Sequence, residues 1–173
     1  MDSSREYRRQ WGYLLVLTAA HFILDCFPGL MHTVLPAFQD AYKLNMAAGG
    51  VLLTLFLVSA NGIQVVIGHL RAEQDRPFFL YAGLALVCTI LLFGLVSPEA
   101  MPLLWLSLIS VVCGAGVGMS HPESLRSIHC LDAISSTTSS SVFMAGGVTG
   151  FAFSGWAGTY LYQWMGIWFL VPF

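Results

Sequence analysis

The chain has 173 residues, of which 57% are hydrophobic and only 9% charged, and its mean hydropathy is +0.74. Soluble domains carry roughly 25% charged residues, so this composition excludes an ordinary water-soluble globule and points to an integral membrane protein. A net charge of −2 and no basic run longer than Arg8-Arg9 exclude nucleic acid as a partner.

Residues 1–10 read as a short tail, with Arg5, Arg8 and Arg9 ahead of Trp11 and Tyr13, residues that suit the aromatic belt of a bilayer interface. Span one, residues 11–38, is apolar and of membrane length, yet it carries His21, Asp25 and His32. At about 100° per residue, Asp25 lies ~40° and His32 ~20° from His21, so the three share one helix face. Ionisable groups at bilayer depth normally face a bundle interior or a water-filled path and mark transport or proton sites. The plainer alternative is that His21 and Asp25 only satisfy one another as an i, i+4 pair. Pro28, Gly29 and Pro36 predict a bend in the same span. Span two, residues 46–68, has no charge, and Asn61 and Gln64 stand one turn apart as a second polar patch. That patch either faces span one or serves as interhelical glue.

The most charged segment follows, with Arg71, Glu73, Asp75 and Arg76 in a tight turn before Pro77. Span three, residues 78–97, has no polar stripe and is expected on the lipid side of the bundle. Span four, residues 101–127, holds a small-residue ridge of Ser110, Gly114 and Gly118, a pattern read as helix packing. Behind it come His121-Pro122-Glu123, Arg126 and His129. Pro122 either kinks a helix that continues to about residue 128 or ends it, and this decides whether Glu123 is buried. A hydroxyl-rich run leads into span five, residues 141–164, where Gly146, Gly150, Ser154 and Gly158 make a second ridge. Residues 166–173 begin a further apolar run that reaches only ~12 Å, so a sixth span is present as a stub.

The predicted fold is thus all-α, a polytopic membrane bundle of five complete spans and a truncated sixth. Arg5, Arg8, Arg9, Arg71, Arg76 and Arg126 fall on one side of the alternating topology and Lys43 on the other. The amino terminus is therefore expected in the cytoplasm, with the protein multi-pass in the cell's cytoplasmic membrane. Cys26, Cys88, Cys113 and Cys130 are scattered, without a Cys-x-x-Cys pair, and imply neither disulfides nor a zinc site. No His-Glu-x-x-His motif and no Gly-x-Ser-x-Gly elbow occurs, so neither an enzyme, a cofactor nor a resident metal is expected.

His21-x-x-x-Asp25-x-x-x-Gly29 with Leu35-Pro36, the loop from Gly68 to Arg76, Gly114-x-Gly116 leading to His121-Pro122-Glu123, and Phe143-Met144-Ala145-Gly146-Gly147 with Gly150 together carry a resemblance. The chain resembles the amino-terminal half of a major facilitator superfamily transporter, in the branch of the fosmidomycin-resistance efflux proteins. It departs from the wider superfamily where Arg71-Ala72 follows Gly68-His69-Leu70, at Ser110, and at Ser154-Gly155. The resemblance implies twelve helices in two halves, a substrate path between them, and rocking about that path. It is expected, then, that this sequence is a fragment, or a half-transporter that pairs with a second chain.

The function expected is secondary transport of a small organic molecule, in the direction of proton-coupled efflux. Asp25 would be the protonatable group, His21 its partner, and His32 would lie nearer the outer mouth. Asn61 and Gln64 would give uncharged contacts, and His121, Glu123 and Arg126 would form a cytoplasmic gate, unless Glu123 and Arg126 are a structural ion pair. Lipid, a small-molecule substrate, the proton and the missing half are the partners implied. The competing expectation is a non-transporting or paired half-size membrane subunit.

Overall fold

A computed structural model describes residues 3–71 and 78–170. Its elements are α1 (Ser3–Ala41), α2 (Met46–Leu70), α3 (Phe78–Val87), α4 (Pro102–His129) and α5 (Ser136–Met165). A 3-10 stretch, Cys88–Leu95, continues α3, and a second one, Gly166–Leu170, follows α5. No strand occurs among the described residues, as expected of a helical membrane bundle. Glu73, Asp75, Arg76 and Pro77 of the predicted charged turn, and residues 171–173 of the predicted stub, lie outside the described residues.

The expected count of five complete spans and a truncated sixth is corrected. Among the described residues, four helical segments are long and apolar enough to cross a membrane: Ser3–Ala41, Met46–Leu70, Phe78–Leu95 and Pro102–His129. The fifth helix has the length, at 30 residues. It falls short in hydropathy because Gly, Ser and Thr fill nearly half of it, where the other helices carry Leu, Ile and Val. The described part of the sixth segment is a single 3-10 stretch.

Local chemistry explains most boundaries. Asn45 caps α2 by accepting the Ala48 N–H at 2.8 Å, and Ser135 caps α5 by accepting the Thr138 N–H at 3.2 Å. The hydroxyl-rich run therefore forms the first turns of α5 and is no linker. At the other end of the chain, the expected tail is already helical from Ser3, continuous with the first span. Helix α1 runs unbroken through Pro28 and Pro36. Pro102 stands in the first turn of α4, where its missing N–H is no loss.

The two small-residue ridges set the packing. On α4, a Cβ added at Gly118 would stand 3.0 Å from the Gln64 nitrogen of α2, and one at Gly116 would stand 2.7 Å from the Gly83 carbonyl oxygen of α3. On α5, a Cβ at Gly150 would fall 2.8 Å from the Phe22 carbonyl carbon and 2.9 Å from the Phe22 Cα. Glycine is thus what lets α5 lie backbone to backbone on α1, and α4 on both α2 and α3. Span three is not purely lipid-facing as expected, because Leu80, Gly83, Val87, Ile90 and Phe93 are buried. Val58, Tyr81, Val148, Trp156 and Trp164 point outward, an apolar surface that a bilayer solvates.

The core divides into two apolar clusters. The larger gathers Leu24, Met31, Val34, Phe38, Phe56, Val87, Phe93 and Leu106; the smaller holds Leu14, Ile128, Ile134 and Phe143. Beside the smaller one, buried Gln10 ties α1 to the α4–α5 loop, donating from Nε2 to the Asp132 carboxylate and accepting the Ala133 N–H at 2.7 Å. That hydrogen bond holds the exposed Asp132 carboxyl below its ordinary value of 3.8.

Two outcomes follow from this packing. Gly150→Ala lowers the unfolding free energy by about 1–3 kcal/mol, through overpacking at α1–α5, whereas Gly62→Ala, with nothing within 4 Å of the added Cβ, does not lower it and raises it by up to about 1 kcal/mol. Thermal unfolding of the purified protein in detergent compares them. For Asp132, a depressed folded value means that the tie to Gln10 is complete above 3.8 and is lost as the pH falls through the lower folded value. Gln10→Leu returns the Asp132 titration, followed by carboxyl-carbon NMR, to its ordinary range.

Candidate functional site

Between the two apolar clusters, three ionisable side chains meet. His21 and Asp25 are one turn apart on α1, and His21 Nε2 lies 3.3 Å from Asp25 Oδ2. From α4, His121 brings its Nε2 to 3.0 Å from Asp25 Oδ1. The carboxylate is thus shared between two imidazoles, one oxygen to each. The rings stand edge to face, with centroids 5.2 Å apart and planes at 89°.

Each ring is oriented from behind. His21 Nδ1 lies 2.9 Å from the Phe143 carbonyl oxygen of α5, and its ring stacks on the Phe143 ring with centroids 4.0 Å apart. His121 Nδ1 lies 3.2 Å from the Val117 carbonyl oxygen. A carbonyl only accepts, so both Nδ1 atoms carry the hydrogen and both Nε2 atoms turn toward Asp25. An ionised carboxylate is also an acceptor. Each Nε2–carboxylate contact therefore closes with a proton or a cation between its two atoms.

Gly147 of α5 completes the arrangement by absence of a side chain. A Cβ there would stand 2.5 Å from Asp25 Oδ2 and 2.7 Å from His21 Nε2. The cluster opens onto a cavity of about 580 Å³, walled by Asn61, Gln64, Val65 and Gly68 of α2, by Pro122 and Leu125 of α4, and by Phe143 and Met144 of α5. His21 is buried, while Asp25 and His121 keep about a fifth of their side-chain surface exposed. The wall is mostly apolar, with the charged cluster at one place and two amides opposite.

The structure thus brings Asp25, His21, Asn61 and Gln64 to one cavity. Asn61 also donates from Nδ2 to the Leu57 carbonyl oxygen at 2.8 Å, which fixes its amide on α2. His32 stands apart on the same helix: it is exposed, donates from Nδ1 to the Pro28 carbonyl oxygen at 2.8 Å, and packs its ring against Phe151.

The expected grouping of His121, Glu123 and Arg126 is divided in two. Positions 121 and 123 are about 200° apart on a helix, so side chains two residues apart face opposite ways. Helix α4 continues through Pro122, and this sends His121 to Asp25 and buries Glu123 on the other side. Glu123 accepts from Arg71 Nε at 3.1 Å and from Arg126 Nη2 at 3.3 Å, and the Arg71 guanidinium also lies 5.3 Å from the centre of the Phe79 ring. Arg71 closes the carboxyl end of α2, so Glu123 holds α2 to α4 as an interhelical ion pair. Sequence reasoning missed the role of His121 beside Asp25, because helical periodicity relates residues within one span and not across two. Gly147, inside the quoted Phe-Met-Ala-Gly-Gly run, was the trace of this close approach.

Over 146 residues, which are 84% of this chain and 35% of the relative, the sequence is 24% identical to the fosmidomycin resistance protein of Escherichia coli (strain K12). The chain therefore spans about a third of the length of the curated relative it matches. No family model and no solved structure matches it. The resemblance drawn from the sequence motifs is thus matched by a measured likeness, and the apolar, all-helical chain fits part of a major-facilitator-like transporter.

Glu123→Gln tests the interhelical pair. Breaking a fully buried pair costs about 3–5 kcal/mol, and because both guanidinium groups reach solvent here, the expected loss of unfolding free energy is about 1–3 kcal/mol. Denaturation of the purified variant measures it, and Arg8→Gln, on the exposed start of α1, is the neutral reference.

Proposed function

We propose that this chain is part of a secondary transporter that moves a small organic molecule across the cytoplasmic membrane in exchange for protons, in the direction of efflux. The observation that carries the reading is a carboxylate held between two imidazoles at the wall of a largely apolar cavity that opens on one side of a multi-pass bundle. A charge at such a place is expensive unless a cation accompanies it, so its presence ties the state of the cavity to the presence of that cation. Likeness to a protein named for fosmidomycin resistance supports removal of a toxic small molecule over its uptake.

Asp25 is the coupling acid in this reading, and His21 and His121 hold its proton equivalents. Asn61 and Gln64 offer donors and acceptors to the substrate. Because the matched relative is about three times as long as the matched segment, the path is completed by a second bundle, either the rest of a longer chain or a separate half-size chain. The amino terminus lies in the cytoplasm on the arginine distribution. A carrier, not an enzyme, is the reading. The same length relation favours a second reading, a paired or non-transporting half-size subunit, in which the polar cluster only locks α1 to α4.

Proton-gradient-driven flux in membrane vesicles carrying the protein tests the first reading. Asp25→Asn reduces gradient-driven flux to the level of empty vesicles, while gradient-independent exchange of the substrate continues. Undiminished gradient-driven flux in this variant excludes Asp25 as the coupling acid. Co-purification with a second polytopic chain, without flux of any kind, supports the subunit reading.

A further inference from the structure

We infer that His21, Asp25 and His121 form a binding site for a divalent first-row transition-metal ion, of which Zn²⁺ is the representative. The three donor atoms lie within 4.8 Å of one another. Ligands about 2.0–2.1 Å from a tetrahedral zinc stand roughly 3.4 Å apart, so the contacts of 3.0 and 3.3 Å already have that spacing. The two imidazole nitrogens themselves lie no more than 4.8 Å apart.

Four features of the chain argue for an ion here beyond mere proximity. The donors are of the kind that selects zinc and its neighbours over magnesium or calcium, with two imidazoles and one carboxylate. Both imidazoles are turned by a backbone carbonyl at Nδ1, the outer-shell contact that metal-bound histidines characteristically make, so both Nε2 lone pairs are aimed inward before any ion arrives. With neutral imidazoles, those lone pairs confront carboxylate oxygens, and one dication relieves both confrontations at once. The fourth direction opens onto the cavity, which leaves room for water or for an oxygen donor of a bound molecule, and the Gln64 and Asn61 amides line the same space. No metal motif is legible in the sequence because the third ligand comes from a helix nearly a hundred positions away.

A metal here bridges α1 and α4, so binding stiffens the contact between those two helices. This is an equilibrium property of the chain and stands independently of transport: the protein either binds the ion or it does not, whatever it carries.

The test uses the purified chain in detergent micelles, titrated with Zn²⁺ by calorimetry and with Co²⁺ by visible absorption. One ion per chain is expected, with the intense visible bands of four-coordinate cobalt. Zinc-edge X-ray absorption of the wild-type protein is expected to show nitrogen and oxygen ligands at about 2.0–2.2 Å, with imidazole scattering from two rings and no sulfur. His121→Gln and Asp25→Asn each weaken binding by at least about tenfold, as loss of an inner ligand exceeds the ~10–100-fold effects of outer-shell partners at its lower bound. His69→Gln and His129→Gln leave it unchanged. Saturation absent at millimolar Zn²⁺, sulfur in the zinc shell, or binding that survives His121→Gln but fails in His69→Gln or His129→Gln overturns the site. Where a variant does not remain monodisperse and helical, the wild-type absorption spectrum decides by itself.

Discussion

A carboxylate cannot rest inside an apolar bundle without something positive beside it, and in this protein that requirement organises three helices. Asp25 projects from α1 toward a region where lipid-like side chains would otherwise close the core, and the bundle answers with an imidazole from its own turn and another from α4. The remaining architecture makes this meeting possible. Phe143 supplies both a carbonyl and a ring to set His21, and Gly147 keeps the neighbouring space clear. The apolar core accordingly splits into two clusters, with the polar layer between them.

Much of this was legible in the sequence, and what was not has physical reasons. Spacing of four between His21 and Asp25 determines that they share a helix face, whatever the tertiary structure does. Small residues at every fourth position of the fourth and fifth helices signal close approach, and the Cβ positions at Gly118 and Gly150 confirm that no side chain fits. Which helices approach is a different matter, since a ridge does not name its partner. For that reason His121 was grouped with its sequence neighbours Glu123 and Arg126, although Pro122 leaves α4 intact and the turn of the helix separates them. The count of spans failed where composition and length diverge. Helix α5 is long, but its packing face is built from residues too small and polar to register as a membrane span.

Two charged clusters thus lie on opposite flanks of one proline. On one flank, the carboxylate of Asp25 is shared by groups whose charge is conditional; on the other, the carboxylate of Glu123 is held by guanidinium groups that are always charged. The second arrangement suits a fixed joint between α2 and α4. The first suits a joint between α1 and α4 whose strength depends on what occupies it. A single helix therefore carries a permanent fastening and a conditional one within three residues.

The 3-10 stretch that continues α3 has a bearing on how the bundle sits in its membrane. The eighteen described residues of that segment, Phe78–Leu95, would reach ~27 Å as pure α-helix, against a hydrocarbon core about 30 Å thick. Winding eight of them as a 3-10 helix, at ~2.0 Å per residue, stretches the same segment to about 31 Å. The tighter winding thus adds ~4 Å to the described part of the segment, which brings it close to the thickness of the apolar layer. Relaxing that stretch to an α-helix would shorten the described segment by ~4 Å, so its helical form and its reach across the apolar layer are one property.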